Sequence, residues 1–245
     1  LTSLFDGYGE SVVSSMAKVD SRCVWTCSLY DLIPLLNPGQ YLADRNMRNW
    51  YMRKIDEILK ADMLFAISGS AGREALDVLN FPPARVVNVG TGVNDFFSEM
   101  EFSSDVRTGF LRRFGIQRKF IMYSGAADPR KNLSRLIEAY SILPDSLRQE
   151  YQLVFVSKIY ENEQKALRKC AEVNGVADDF IITGYVSDED LRLAYHLCSL
   201  FVFPSLHEGF GIPIAEASLC GAVVVGSNRT SVPEIICMNE ALFNP

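Results

Sequence analysis

Histidine is scarce in this sequence: His196 and His207 are the only two among 245 residues. Neither falls in a Ser-His-Asp or Cys-His order, so relay-activated nucleophile chemistry has no carrier. His196 has Leu193, Leu197 and Leu200 near it and reads as structural, while His207 adjoins Glu208 and can touch a substrate without serving as a base. Long apolar runs are missing too, since none approaches the roughly 20 residues of a membrane-spanning helix. Positive charge is not in excess: 24 Lys and Arg face 30 Asp and Glu, a net charge of -6. That balance argues against a broad nucleic-acid surface and leaves room only for a local basic pocket. No P-loop and no short repeat occurs. Of the six cysteines, Cys23 and Cys27 are spaced C-x3-C with no second Cys/His pair to complete a zinc site. Cys170, Cys198, Cys220 and Cys237 read as small core residues, and the usage fits a reducing compartment. Residue 1 is Leu and the opening residues show no signal-peptide pattern, so the chain is expected to be an excerpt.

What the chain does contain is ordinary for a globular protein with a sizeable core, at 48% hydrophobic and 22% charged residues. Strand-like runs alternate with helical patterns. A first series has strands at 23–29, 63–67 and 85–89, with helices at 43–60 and from Ser68 as N-cap to about Leu79. Residues 90–117 lose any clean period apart from a short helix near 106–114. A second series follows, with strands at 120–124, 153–157, 180–183, 199–203 and 222–226. Its helices fall at 132–142, 161–173, 188–197 and 213–219. Alternation of this kind predicts parallel sheets covered by helices. The expected organisation is therefore α/β, with two Rossmann-like domains facing each other across a cleft: residues 1–92, a linker at 93–117, and residues 118–245.

Two turns that follow strands carry candidate chemistry. Around Gly125, the run Tyr-Ser-Gly-Ala-Ala-Asp-Pro-Arg-Lys-Asn at 123–132 places Arg130 and Lys131 just before a helix, where they can clamp a diphosphate. The alternative is a solvated basic pair capping a turn. In the other turn, Glu208 and Glu216 stand eight positions apart around Gly209, Phe210 and Gly211, with Pro213 at the expected helix start. Glu208 is expected in the turn and Glu216 in the first helical turn; the plainer alternative for the two glycines is a tight turn requiring positive φ. Gly209-Phe210-Gly211 is no dinucleotide fingerprint, because Ile214 stands where that motif needs Gly or Ala. Exposed backbone and a helix N-terminus suit an anion. Carboxylates beside it suit hydroxyl groups, and a nucleotide sugar supplies both. Asp31, after the first strand, can face the cleft or cap a turn.

These motifs resemble the retaining GT-B glycosyltransferases of family 4, whose hallmark is E-x7-E. The match runs over 125–136, 183–191, 203–221 and 232–235, with Ala-Leu-Phe-Asn-Pro at 241–245 looking like the usual continuation. Ser-Leu-Tyr-Asp-Leu-Ile-Pro at 28–34 and Ala-Asp-Met-Leu-Phe-Ala-Ile-Ser at 61–68 look like the later part of the family's N-terminal domain, so that domain is expected to be partial. The combination is most similar to bacterial mannosyl- and deoxyhexosyltransferases of surface polysaccharide synthesis.

The resemblance implies that Glu208 holds donor-sugar hydroxyls and acts in catalysis with Arg130 and Lys131, which bind the diphosphate. It implies that Glu216 holds the ribose, that backbone around Gly209, Phe210, Gly211 and Ile212 meets the sugar phosphate, and that Tyr185 and Val186 flank the base. Gly125 and Asp31 complete the substrate-binding set. The implied reaction moves a hexose, mannose-type, from a nucleoside-diphosphate sugar (GDP-mannose favoured) to a glycan or lipid-linked acceptor. It proceeds with retention and with no metal or cofactor. The implied place is cytoplasmic and allows peripheral association at the inner face of the membrane. Tyr30 departs from the family pattern, standing where a histidine often precedes the N-domain aspartate. Two rival readings are a catalytically silent binding module of the same fold and a same-fold sugar epimerase. Binding of a nucleotide sugar separates module from enzyme, and product analysis separates transferase from epimerase.

Overall fold

A computed structural model describes residues 23–245. The opening residues, whose pattern was read above and with which the expected first domain begins, lie outside the described residues. The described residues divide into two compact units, one running to Gly92 and including Glu208–Phe210, the other Val93–His207 with Gly211–Pro245.

Among the described residues the first unit holds a three-stranded parallel sheet in the order β1 (Thr26–Leu29), β2 (Met63–Ala66), β3 (Val86–Asn88). The helix Arg45–Ile58 is capped by Asp44, which accepts from the Met47 amide, and it buries Tyr51, Ile55 and Ile58. Those side chains join Cys27, Leu29, Leu32 and Leu64 in one core. The helix Gly69–Leu79 starts where Ser68 accepts from the Ala71 amide, the N-cap expected from the sequence. Two short helices, Ile33–Leu36 and Pro38–Tyr41, were not foreseen. Each is a single turn set by proline at its start, too short for a periodic signal.

The second unit is built on a six-stranded sheet. Its strands are β4 (Lys119–Ser124), β5 (Tyr151–Val156), β6 (Phe180–Ile182), β7 (Leu200–Phe203), β8 (Val224–Ser227) and β9 (Leu242–Phe243). They lie side by side in the order β6-β5-β4-β7-β8-β9, every registered pair parallel. From β4 the chain steps outward to β5 and β6, then crosses back to set β7 on β4's other side. Order therefore reverses between β4 and β7, and in such sheets ligands bind outside the carboxyl ends of the strands at that point. Phe120, Met122, Phe155, Phe201 and Phe203 fill the core here, almost fully buried, as continuous apolar strands covered on both faces must be.

Two sequence expectations need correction. Residues 93–117, expected as a linker, group with the second unit, and Phe97, Phe110 and Ile116 are buried in its core. Polar residues and glycines between those apolar anchors hid the pattern; the helix Ser104–Phe114 buries only Phe110. Glu216 does not lie in the first helical turn. The helix begins at Ile212, with Pro213 second and Glu216 fifth.

Gly226 on β8 tests how tightly this sheet is covered. A Cβ there would stand 2.7 Å from Ile236 Cδ1 and 2.8 Å from Val232 Cγ1. Gly226→Ala should lower unfolding free energy by about 1–3 kcal/mol through overpacking, read as a fall in urea midpoint at unchanged m-value. An unchanged midpoint would mean that the helix Val232–Ile235 and Ile236 yield freely.

Candidate functional site

At the carboxyl ends of β4 and β7, two loops are tied together. The turn after β4 enters through Gly125, whose φ of +128° and closeness to the Tyr123 hydroxyl, 2.8 Å from an added Cβ, admit no side chain. Asp128 then accepts from the Arg130 amide at 2.9 Å and opens a single 3-10 turn, Pro129–Lys131. Three hydrogen bonds join this turn to the loop after β7. Leu206 N donates to Arg130 O at 2.7 Å, Arg130 Nη1 to His207 O at 3.0 Å, and Asn132 Nδ2 to Pro204 O at 3.4 Å. The second loop is held from its other side by Ser227 Oγ, which donates to Ser205 O at 2.5 Å.

Arg130 and Lys131 are thus not a solvated pair. Lys131 is only 7% exposed, with its ammonium 5.2 Å from the centre of the Phe203 ring. Arg130 is half-buried, its Nε 3.6 Å from Asp128 Oδ1. Both cations hang from a turn whose backbone is fixed, the condition for presenting charge to a ligand without reorganisation.

Gly211 has a φ of +113° and an added Cβ would meet Ile214 Cδ1 at 3.1 Å, so glycine is needed there for conformation and for room. No side chain caps the helix Ile212–Leu219 that it opens, which leaves the helix's amide end able to receive an anion. Half-buried Glu216 sits one turn in. Its Oε2 accepts from Tyr195 Oη at 3.1 Å, and Tyr195 Oη lies 2.7 Å from Ser124 Oγ at the end of β4. Burial pushes the Glu216 carboxyl above its ordinary value and neighbouring Asp188 adds to the rise, while the Tyr195 hydrogen bond pulls the other way. Tyr185 is 77% exposed after β6, and Val186 beside it is half-buried against the core.

Glu208, Gly209 and Phe210 group with the first unit. Glu208 is 6% exposed. Gly209 is required for a different reason from the tight-turn alternative: its φ is not positive, but a Cβ would collide with Tyr30 O and stand 2.9 Å from Asp31 Oδ2. Its carbonyl accepts from Ser68 Oγ at 2.6 Å. Asp31 caps a turn, Oδ1 accepting from Ile33 N at 3.0 Å. Within the second unit, therefore, Gly125, Arg130, Lys131, Gly211, Ile212 and Glu216 border the strand-order reversal.

Sequence reasoning missed Tyr195 and Ser124. Tyr195 sits on a helix among apolar neighbours, and the only available signal was that a buried phenol needs a partner. The cysteines are all free; Cys27, Cys198 and Cys220 are buried, whereas Cys237, expected in the core, is exposed. Among the described residues no cluster of three or more His, Cys, Asp or Glu side chains is placed to hold a metal ion. None of the described helices is long and apolar enough to cross a membrane.

Comparison with known proteins fits this geometry. The family model described as "Glycosyl transferases group 1" matches residues 112–245, more than half of the chain. The serotype-specific mannosyltransferase WbdA of Escherichia coli is 41% identical over 244 residues, which is 99% of this chain and 30% of WbdA. The O-antigen chain mannosyltransferase B of Escherichia coli is 32% identical over 190 residues, 76% of this chain and 49% of that protein. The chain thus spans less than half the length of these relatives. The crystal structure of Anabaena HepE in complex with UDP-glucose superposes with a TM-score of 0.74 at 18% identity, covering 94% of this chain and 61% of that one. The fold is α/β with parallel sheets, of the GT-B type.

The strained ionisation of Glu216 gives a test free of any ligand. A carboxyl whose folded value is raised contributes stability that is complete below its unfolded value and lost as pH rises through the folded one. Glu216→Gln, which keeps an acceptor for Tyr195, should therefore melt at or above the wild-type temperature at pH 7. The gap should close below about pH 4, near the ordinary carboxylate range. A variant that melts lower at pH 7 would show that the ionised carboxylate stabilises the fold.

Proposed function

The chain belongs to the group 1 glycosyl transferases, and on that basis we propose that it moves mannose from a nucleoside-diphosphate sugar, GDP-mannose, to a glycan or lipid-linked acceptor with retained configuration. The observation that carries this reading is the Arg130–Lys131 turn, hydrogen-bonded to the loop that leads into Gly211 and Glu216 at the reversal of strand order. The names of the two Escherichia coli relatives support mannose as the sugar, and the UDP-glucose complex of the Anabaena protein supports a nucleotide-sugar donor.

In this reading Arg130 and Lys131 take the diphosphate, whose charge grows as the bond to the sugar breaks, and the amide end of the helix Ile212–Leu219 shares that charge. Backbone from Gly209 to Ile212 meets the sugar phosphate, with Gly125 leaving room at the first turn. Glu216 accepts from ribose hydroxyls, and Tyr185 with Val186 flanks the base. Glu208 accepts from hydroxyls of the donor sugar, nearest the carbon that gains positive charge, and Asp31 lies on the acceptor side. The leaving phosphate takes the acceptor's proton through an oxocarbenium-like state.

A panel of nucleotide sugars and thermal unfolding tests the donor. At 100 times its dissociation constant a ligand stabilises by about 2.7 kcal/mol, and GDP-mannose should shift the transition most. Lys131→Ala should weaken GDP affinity by about 2 kcal/mol, the scale of a charge-assisted hydrogen bond, measured by calorimetry on protein shown to be folded. Wild-type affinity in that variant would remove Lys131 from the phosphate site.

A further inference from the structure

We infer that Tyr195 is a positioning residue for Glu216: its hydroxyl, held by Ser124, engages one carboxylate oxygen and turns the other toward the donor's ribose. The inference rests on the function proposed above. Tyr195 is fully buried at 0% exposed, on the helix Asp188–Leu197. Its ring is fixed edge-on by Phe97 at 6.1 Å and Phe201 at 5.4 Å between centroids. A phenol has one proton. With that proton given to Glu216 Oε2 at 3.1 Å, the 2.7 Å contact with Ser124 must run from the serine hydroxyl to the tyrosine oxygen. The polarity of the chain, Ser124 to Tyr195 to Glu216, is thereby set, and each bond strengthens the next.

Packing alone does not call for the hydroxyl. Phenylalanine would fill the same space among apolar rings without the penalty of burying a polar group. Among the described residues no other hydrogen bond reaches the Glu216 carboxylate. Oε2 is spoken for, and Oε1 remains for a ligand. Burial holds the Tyr195 phenol well above its ordinary value, so it stays a donor. Asp188 lies near enough to raise the Glu216 carboxyl, and the neighbouring Cys220 thiol, pushed up to about 11 by burial, stays neutral. The tie also spans the reversal of strand order, from the end of β4 to the helix after β7. An orientation error there would pass directly to the ribose.

Calorimetric titration with GDP, and with UDP as the second probe, tests this on Tyr195→Phe, Glu216→Gln and the double variant. Tyr195→Phe should weaken the better nucleotide about tenfold, as for loss of one well-aligned hydrogen bond. In the Glu216→Gln background the same change should cost less than about twofold, because coupled residues do not add. Ser124→Ala, which leaves the ring in place, should weaken binding about threefold by the same route, and it carries the test should Tyr195→Phe fail to fold. Wild-type affinity in the single variants, or an equal loss in both backgrounds, would overturn the inference. A second readout needs no nucleotide: carbon-13 NMR of the Glu216 carboxyl should show its titration move upward in Tyr195→Phe. If the wild type binds neither GDP nor UDP, the donor reading fails. The positioning then stands or falls on that titration, and an unmoved one overturns it.

Discussion

The pairing of β4 with β7 is the constraint on which the second unit depends. It is short, with Ile121 against Leu200 and Met122 against Phe201, although β4 runs on to Ser124 and β7 to Phe203. Past Met122 the two backbones no longer register, and side chains take over. The Tyr123 and Phe203 rings stack at 6.4 Å between centroids, and Ser124 reaches the Tyr195 hydroxyl. A crevice between diverging strands needs its rim held by something other than a ladder. The Leu206, Arg130 and Asn132 hydrogen bonds do that, so the turn bearing both cations is also the turn that closes the rim.

This arrangement keeps charge where folding alone would not. Lys131 is nearly buried over an aromatic face, an attraction that offsets only part of an ammonium's desolvation. Glu208 is buried as well, and Glu216 is pushed toward its protonated form by burial. Lys131 and Glu216, both at the carboxyl edge of the second unit's sheet, agree with a site. Lys131 rests on Phe203 of the strand that Arg130's loop partners extend, and Glu216 on the hydroxyl chain from β4.

Much of the scaffold was legible because its signals are local. The helices Glu161–Val173 and Asp188–Leu197 have the ends their sequence implies, the second with the Ser187 hydroxyl accepting from the Asp190 amide. Apolar runs such as Tyr151–Val156 could be nothing but buried strands once helices flanked them. What escaped depends on contacts distant in sequence. Phe97 and Phe110 reveal segment 93–117 as core only after the sheet exists. Tyr195 lies 71 residues from Ser124, and no spacing rule links them.

The two glycines of the Glu208–Glu216 segment show how one motif can hide two kinds of necessity. Gly211 answers a backbone demand, a positive φ that turns the chain from loop into helix and so fixes which way the fifth helical residue, Glu216, projects. Gly209 answers a steric demand, because the Tyr30 carbonyl and Asp31 carboxylate leave no space for a side chain while Ser68 holds its carbonyl. A sequence presents both as turn glycines. Physically they differ: at 211 a side chain would meet a φ of +113° and Ile214 Cδ1 at 3.1 Å, whereas at 209 the backbone is ordinary and collision alone excludes it. A change at 211 therefore acts on Glu216 through the start of its helix, and a change at 209 acts on Glu208 through the packing of its neighbour.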